Sequence, residues 1–132
     1  MSQQNVELVK RMQEAFVGAQ PELALAFLHP DVVYDARERP DGRVWRGREQ
    51  ITGAMLDWSD VWDDWEVEAE RYVDAGENQV LILWHERGRG KESGIVMDQR
   101  GANLVTIAES RIVHMQLYVD QRDALRAIGL DA

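Results

Sequence analysis

No cysteine occurs among the 132 residues of the chain. That excludes a disulfide framework, a thiolate nucleophile and thiolate metal ligation. It fits a reducing compartment, and a cytoplasmic location is expected. Long apolar runs are also missing. Runs such as Val80 to Trp84 are the length of a strand and far short of a bilayer span. The opening residues, Met1 to Asn5, lack a basic segment followed by an apolar one, so no signal peptide is expected. Positive charge is scarce: 15 Lys and Arg stand against 24 Asp and Glu, a net charge of −9. Binding to nucleic acid or to an anionic membrane surface needs clustered cations and is excluded on that balance.

What is present suits a single core. Hydrophobic residues make up 45% of the chain, and its length fits one domain over residues 1–132. Val6, Val9, Met12 or Gln13, and Phe16 recur at helical spacing, which predicts a helix over 5–17 with Asn5 as N-cap and Gly18 as its stop. Pro21 opens a second short helix that carries Leu23, Ala26 and Phe27, and Pro30 stops it. A short strand follows at Val32, Val33 and Tyr34. Residues 37 to 48, with five arginines and the turn signal Pro40-Asp41-Gly42, read as a loop or irregular hairpin. Ile51, Met55, Trp58 and Trp62 share one face of a third helix.

Beyond Trp62 the period changes from 3.6 to 2. Trp65, Val67 and Ala69 alternate with three glutamates. After a turn at Ala75 to Asn78, Val80 to Glu86 is nearly continuous in apolar residues, so that strand is covered on both faces. A glycine-rich hairpin connection, a strand broken by a bulge at Gly101, a turn at Glu109-Ser110 and an alternating strand from Arg111 to Val119 come next. Asp120 caps a terminal helix that ends at Gly129. Helices segregated from an antiparallel sheet predict an α+β domain.

Four segments, in order, carry a family resemblance: Leu28-His29-Pro30-Asp31-Val32-Val33-Tyr34, Trp45-Arg46-Gly47-Arg48-Glu49-Gln50-Ile51, Gly88-Arg89-Gly90-Lys91-Glu92-Ser93-Gly94, and Tyr118-Val119-Asp120-Gln121-Arg122-Asp123-Ala124-Leu125 with Gly129-Leu130 behind it. The chain resembles the SnoaL-like branch of the nuclear-transport-factor-2-like superfamily, whose fold also serves ketosteroid isomerase and limonene-epoxide hydrolase. The resemblance implies a curved antiparallel sheet wrapped around three N-terminal helices, a cone-shaped barrel with a pocket. It places Phe16, Tyr34, Met55, Trp58, Trp62, Asn103, Met115, Leu117 and Val119 in the pocket wall. It also implies a homodimer through the open sheet face, where His114, Gln116 and Tyr118 would lie.

The relatives' catalytic positions are largely vacant here. Alignment with ketosteroid isomerase puts Ala36 at its base position, Phe16 near its tyrosine and Asn103 at its acid position. Asp35 is one residue off and points to the other face. Leu117 stands where limonene-epoxide hydrolase has its water-activating carboxylate, and Asp120, three residues on, faces the opposite way. The acid–base candidates that remain are His85, at the end of a buried strand, with Asn103 and Tyr34. His29 reads as a turn residue and His114 as a surface or interface one.

No metal site and no cofactor are expected. The three histidines lack paired ligand spacing, and Asp57, Asp60, Asp63 and Asp64 form a solvated acidic end without the turn glycine of a calcium loop. The Gly88 to Ser93 segment lacks the spacing of a phosphate loop. Arg37, Arg39, Arg43, Arg46 and Arg48 read as surface cations paired to acidic neighbours, with a cationic rim as the alternative. The expected function is binding of a small hydrophobic molecule, with a cyclase-, isomerase- or hydrolase-like activity that lacks the usual carboxylate base. The alternative is a non-catalytic homodimeric scaffold. The two differ in the interior: the first needs polar groups converging in a cavity, the second a packed core.

Overall fold

A computed structural model describes residues 2–17, 21–39 and 42–130. Gly18, expected to stop the first helix, and Pro40 and Asp41, expected in a turn, lie outside the described residues. In chain order the elements are α1 (Ser2–Val17), α2 (Pro21–Leu25), β1 (Leu28–Asp35), β2 (Val44–Arg46), α3 (Gly47–Asp60), β3 (Trp62–Gly76), β4 (Gln79–Gly90), β5 (Val96–Ala108), β6 (Arg111–Tyr118) and α4 (Gln121–Ala127). α1 starts before Asn5, whose amide donates to Asn78 Oδ1 at 3.4 Å in place of capping. Pro30 falls inside β1 and not at a helix end. The pairing of β1 with β6 shifts register between Leu28 and Val33, and the missing proline N–H is accommodated there.

The strands form one curved, unclosed sheet in the order β2-β1-β6-β5-β4-β3. Neighbours run antiparallel except β1 and β6, which are parallel. β2, read from sequence as loop, adds to the free side of β1 through Tyr34↔Trp45. β4 and β5 pair without a register shift from Gln79↔Thr106 to Arg89↔Val96, so the bulge expected at Gly101 is absent; the irregularity in β5 falls between Thr106 and Ile107, against β6. Two tight turns, Glu77-Asn78 and Glu109-Ser110, have positive φ at both central residues, the twist that two-residue hairpins require.

Period 2 sorts the sheet into two layers. On the inner face Val32, Tyr34, Val80, Ile82, Trp84, Val105, Met115 and Leu117 pack against Val9 and Met12 of α1 and Ile51 of α3. On the outer face Leu81, Leu83 and Ala102 pack under Ala124, Leu125 and Ile128 of α4. β4 is therefore buried from Val80 to Glu86 because both its faces are covered. Asp120 caps α4 by accepting the Arg122 N–H at 2.8 Å. No helix among the described residues is long and apolar enough to cross a membrane.

Candidate functional site

The helices do not fill the concave side of the sheet. A cavity of about 650 Å³ remains between α1, α3 and the inner face. α3 ends at Asp60 because the chain turns at Val61, so Trp62 opens β3 and does not continue the helix face of Trp58. The two indoles still meet edge to face, with centroids 5.5 Å apart. Phe16 meets Trp65 in the same way at 5.8 Å. Trp45, Trp58, Trp62, Trp65 and Trp84 all line the cavity, with Met12, Met55, Val67 and Met115 between them.

Apart from Gln13 and Asp57, the polar side chains in this apolar shell gather around Glu86. Glu86 is 1% exposed, and Trp84 and Glu86 are both inward-facing on β4. Trp58 Nε1 donates to Glu86 Oε2 at 2.6 Å, and Trp65 Nε1 donates to the same oxygen at 2.7 Å. Arg39 Nη2 donates to Oε1 at 3.4 Å. Its guanidinium lies 4.1 Å over the Trp58 ring and 6.0 Å from that of Trp84. Every contact on the carboxylate is a donor, so Glu86 serves purely as an acceptor. Burial of such a pair is tolerable because each charge answers the other.

A second chain of bonds adjoins the first. Trp84 Nε1 donates to Asn103 Oδ1 at 3.2 Å, which leaves the Asn103 amide N–H groups to donate. They meet the Tyr34 hydroxyl. Tyr34 is buried, and burial raises its pKa above the ordinary value; nearby Glu86 adds to the rise, while Arg39 and the Asn103 bond oppose it. Gly101 makes this arrangement possible. It sits opposite Trp84 in the register, and a Cβ there would fall 2.5 Å from the indole Cη2 and 2.7 Å from the Tyr118 carbonyl. Trp62 Nε1 is buried without a partner among the described residues.

Of the residues expected in the wall, Phe16, Tyr34, Met55, Trp58, Trp62, Asn103 and Met115 line the cavity. Leu117 and Val119 do not. Leu117 is wholly enclosed in the core, and Val119 follows the end of β6, where its N–H donates to Glu38 Oε1 at 2.9 Å. His85 is not brought to Asn103. It projects from the other face of β4, and its Nε2 meets Asp98 Oδ1 at 2.6 Å. That bond holds the Asp98 carboxyl below its usual range. Asp35 likewise turns away from the cavity. Arg37 donates to it from Nε at 3.0 Å and Nη2 at 2.7 Å, and this lowers its pKa. Ala36 lies in the wall, so the position aligned with the isomerase base faces the cavity and carries only a methyl group.

Glu86 and Arg39 were missed. Glu86 shares parity with Trp84 at the end of an apolar strand, and that signal places it inside. Arg39 stood in a run of arginines with acidic neighbours, and nothing local separates it from the others. Among the described residues, no group of three His, Cys, Asp or Glu could hold a metal ion.

The sequence profile of the SnoaL-like domain matches residues 9–115, and the chain belongs to that family. No curated protein sequence matches it significantly. Several solved structures share the fold. A hypothetical protein from Catenulispora acidiphila with a ketosteroid isomerase-like fold, crystallised in complex with trimethylamine, aligns with a TM-score of 0.73 and 23% identity over 94% of this chain and 93% of its own. A candidate SnoaL-like polyketide cyclase from Jannaschia sp. aligns with a TM-score of 0.77 and 19% identity, over 99% and 95%. A candidate polyketide cyclase from Xanthomonas campestris pv. campestris gives 0.73 and 18%, over 97% and 98%. At these identities the likeness speaks for the fold.

Proposed function

We propose that this protein binds a small, largely apolar molecule in the cavity and directs its polar group to the Glu86 floor. There Glu86 accepts hydrogen and Tyr34 donates it. The observation that carries this reading is the buried Glu86 carboxylate, with its ring of donors, in an aromatic cavity of about 650 Å³. A cavity of that size with a few convergent polar groups is the usual form of a small-molecule site. The open interior supports this reading over the scaffold alternative, for which a packed core is expected.

An acceptor and a donor near one another in one cavity make proton transfer the chemistry that the side chains permit. That is the reaction type of cyclases and isomerases, and the candidate cyclases that share the fold support it. The trimethylamine complex of the Catenulispora protein supports a small-molecule site in this architecture. Native mass spectrometry of the purified protein, with a thermal-shift screen of bicyclic ketones and amines, tests the reading. A retained mass, or a compound that raises Tm by several degrees, is expected. Protein that carries nothing, and whose Tm no compound moves, would sink the proposal.

A further inference from the structure

The floor of the cavity already holds a cation. The Arg39 guanidinium is stacked on Trp58, leans toward Trp84 and shields Glu86, whose side chain is only 2% exposed although it lines the cavity. A ligand group can therefore reach Oε1 only by taking the place of Arg39. The charge balance decides what kind of group can do so. Two indole N–H groups satisfy Oε2, but Arg39 supplies the only positive charge at the site and reaches Oε1 at 3.4 Å, the long end of hydrogen bonding. A neutral replacement would leave a buried carboxylate without a countercharge, and a compact ammonium would restore it at a shorter distance. The displaced faces of Trp58 and Trp84 suit a cation as well.

An independent feature points the same way. The cavity wall includes Asp57 in the last turn of α3, the negative end of that helix, and Asp60, Asp63 and Asp64 follow it. Lys91 pairs with Asp60 at 3.4 Å. Arg39 is the one cationic side chain among the described lining residues. Negative charge in and beside the wall favours cations over anions.

Building on the small-molecule reading above, we infer that the ligand carries a protonated amine and that Arg39 is an internal substitute for it. The amine N–H donates to Glu86 Oε1, its alkyl groups lie on Trp58 and Trp84, and Arg39 swings out.

Isothermal titration of the full chain at pH 7 with N,N-dimethylbenzylamine, which is protonated there, and with isobutylbenzene, its neutral carbon isostere, tests the inference. The amine is expected to bind at least tenfold more tightly. Arg39→Met removes the internal competitor, so amine affinity should rise several-fold. The amine should also raise the Tm of that variant more than it raises the Tm of the wild type. Glu86→Gln should reduce the amine to the level of the isostere, with a cooperative melt as proof of folding. Equal binding of the two compounds by the wild type would overturn the inference while leaving the small-molecule reading intact. Weaker amine binding by Arg39→Met would also overturn it. Failure of both compounds to bind would remove the cavity reading together with this one.

Discussion

Glu86 and His85 are adjacent in sequence and lie on opposite sides of the sheet. Parity from Trp84 distinguishes them: residues two apart share a face, so Glu86 follows the indole into the cavity and His85 cannot. Truncating the inward residue should be costly. Glu86→Ala would leave two buried indole N–H groups and a stacked guanidinium without an acceptor, and a loss of about 3–5 kcal/mol is expected from urea unfolding. Tyr34 makes a prediction about pH. Its folded pKa is raised, chiefly by burial, so its hydroxyl stays protonated in the native state when the unfolded chain ionises. Stability should be intact below about pH 10 and fall as pH rises beyond it. Tyr34→Phe should flatten that alkaline decline in a pH series of melts. Single residues of this kind were partly legible. Tyr34 and Asn103 could be placed from the family resemblance, whereas Arg39 could not, because its role depends on Trp58 of α3 and on Trp84 and Glu86 of β4, two segments distant in sequence.

At the level of elements, periodicity carried most of the reading. The 3.6-residue period gave α1 and α3, and the change to period 2 gave β3 to β6. It failed at junctions, where no period exists. The passage from α3 to β3 at Val61 reassigned Trp62 from a helix to a strand, and β2, three residues long, is too short to show alternation. Gly101 illustrates a different limit. A glycine in a strand suggests a bulge, yet here the ladder is regular and the glycine is needed for close approach. Gly101→Ala should therefore act through Trp84. The added methyl meets a fixed indole and a backbone carbonyl, so a destabilisation of about 1–3 kcal/mol is expected. Weaker binding of any cavity ligand should accompany it, since Trp84 must shift away from Asn103. A variant as stable as the wild type would show that the strand pair relaxes freely.

For the whole molecule, α4 covers one part of the outer sheet face and leaves the part that carries His114 and Gln116 half-buried and without a helix above it. If copies of the chain pair through that face, sedimentation at micromolar concentration will give a dimer, and His114→Glu, placing like charges across a twofold axis, will shift it to monomer. A monomer in the wild type would remove the pairing. The −9 net charge could be read at this scale from composition alone, but its distribution could not: only the fold brings the end of α3 into the wall of the cavity. The placement of the tryptophans has a practical consequence. Because all five border the same space, the tryptophan emission of the protein originates entirely from the walls of its cavity. Any guest that enters must change the spectrum or quench it, and the unlabelled protein reports its own occupancy.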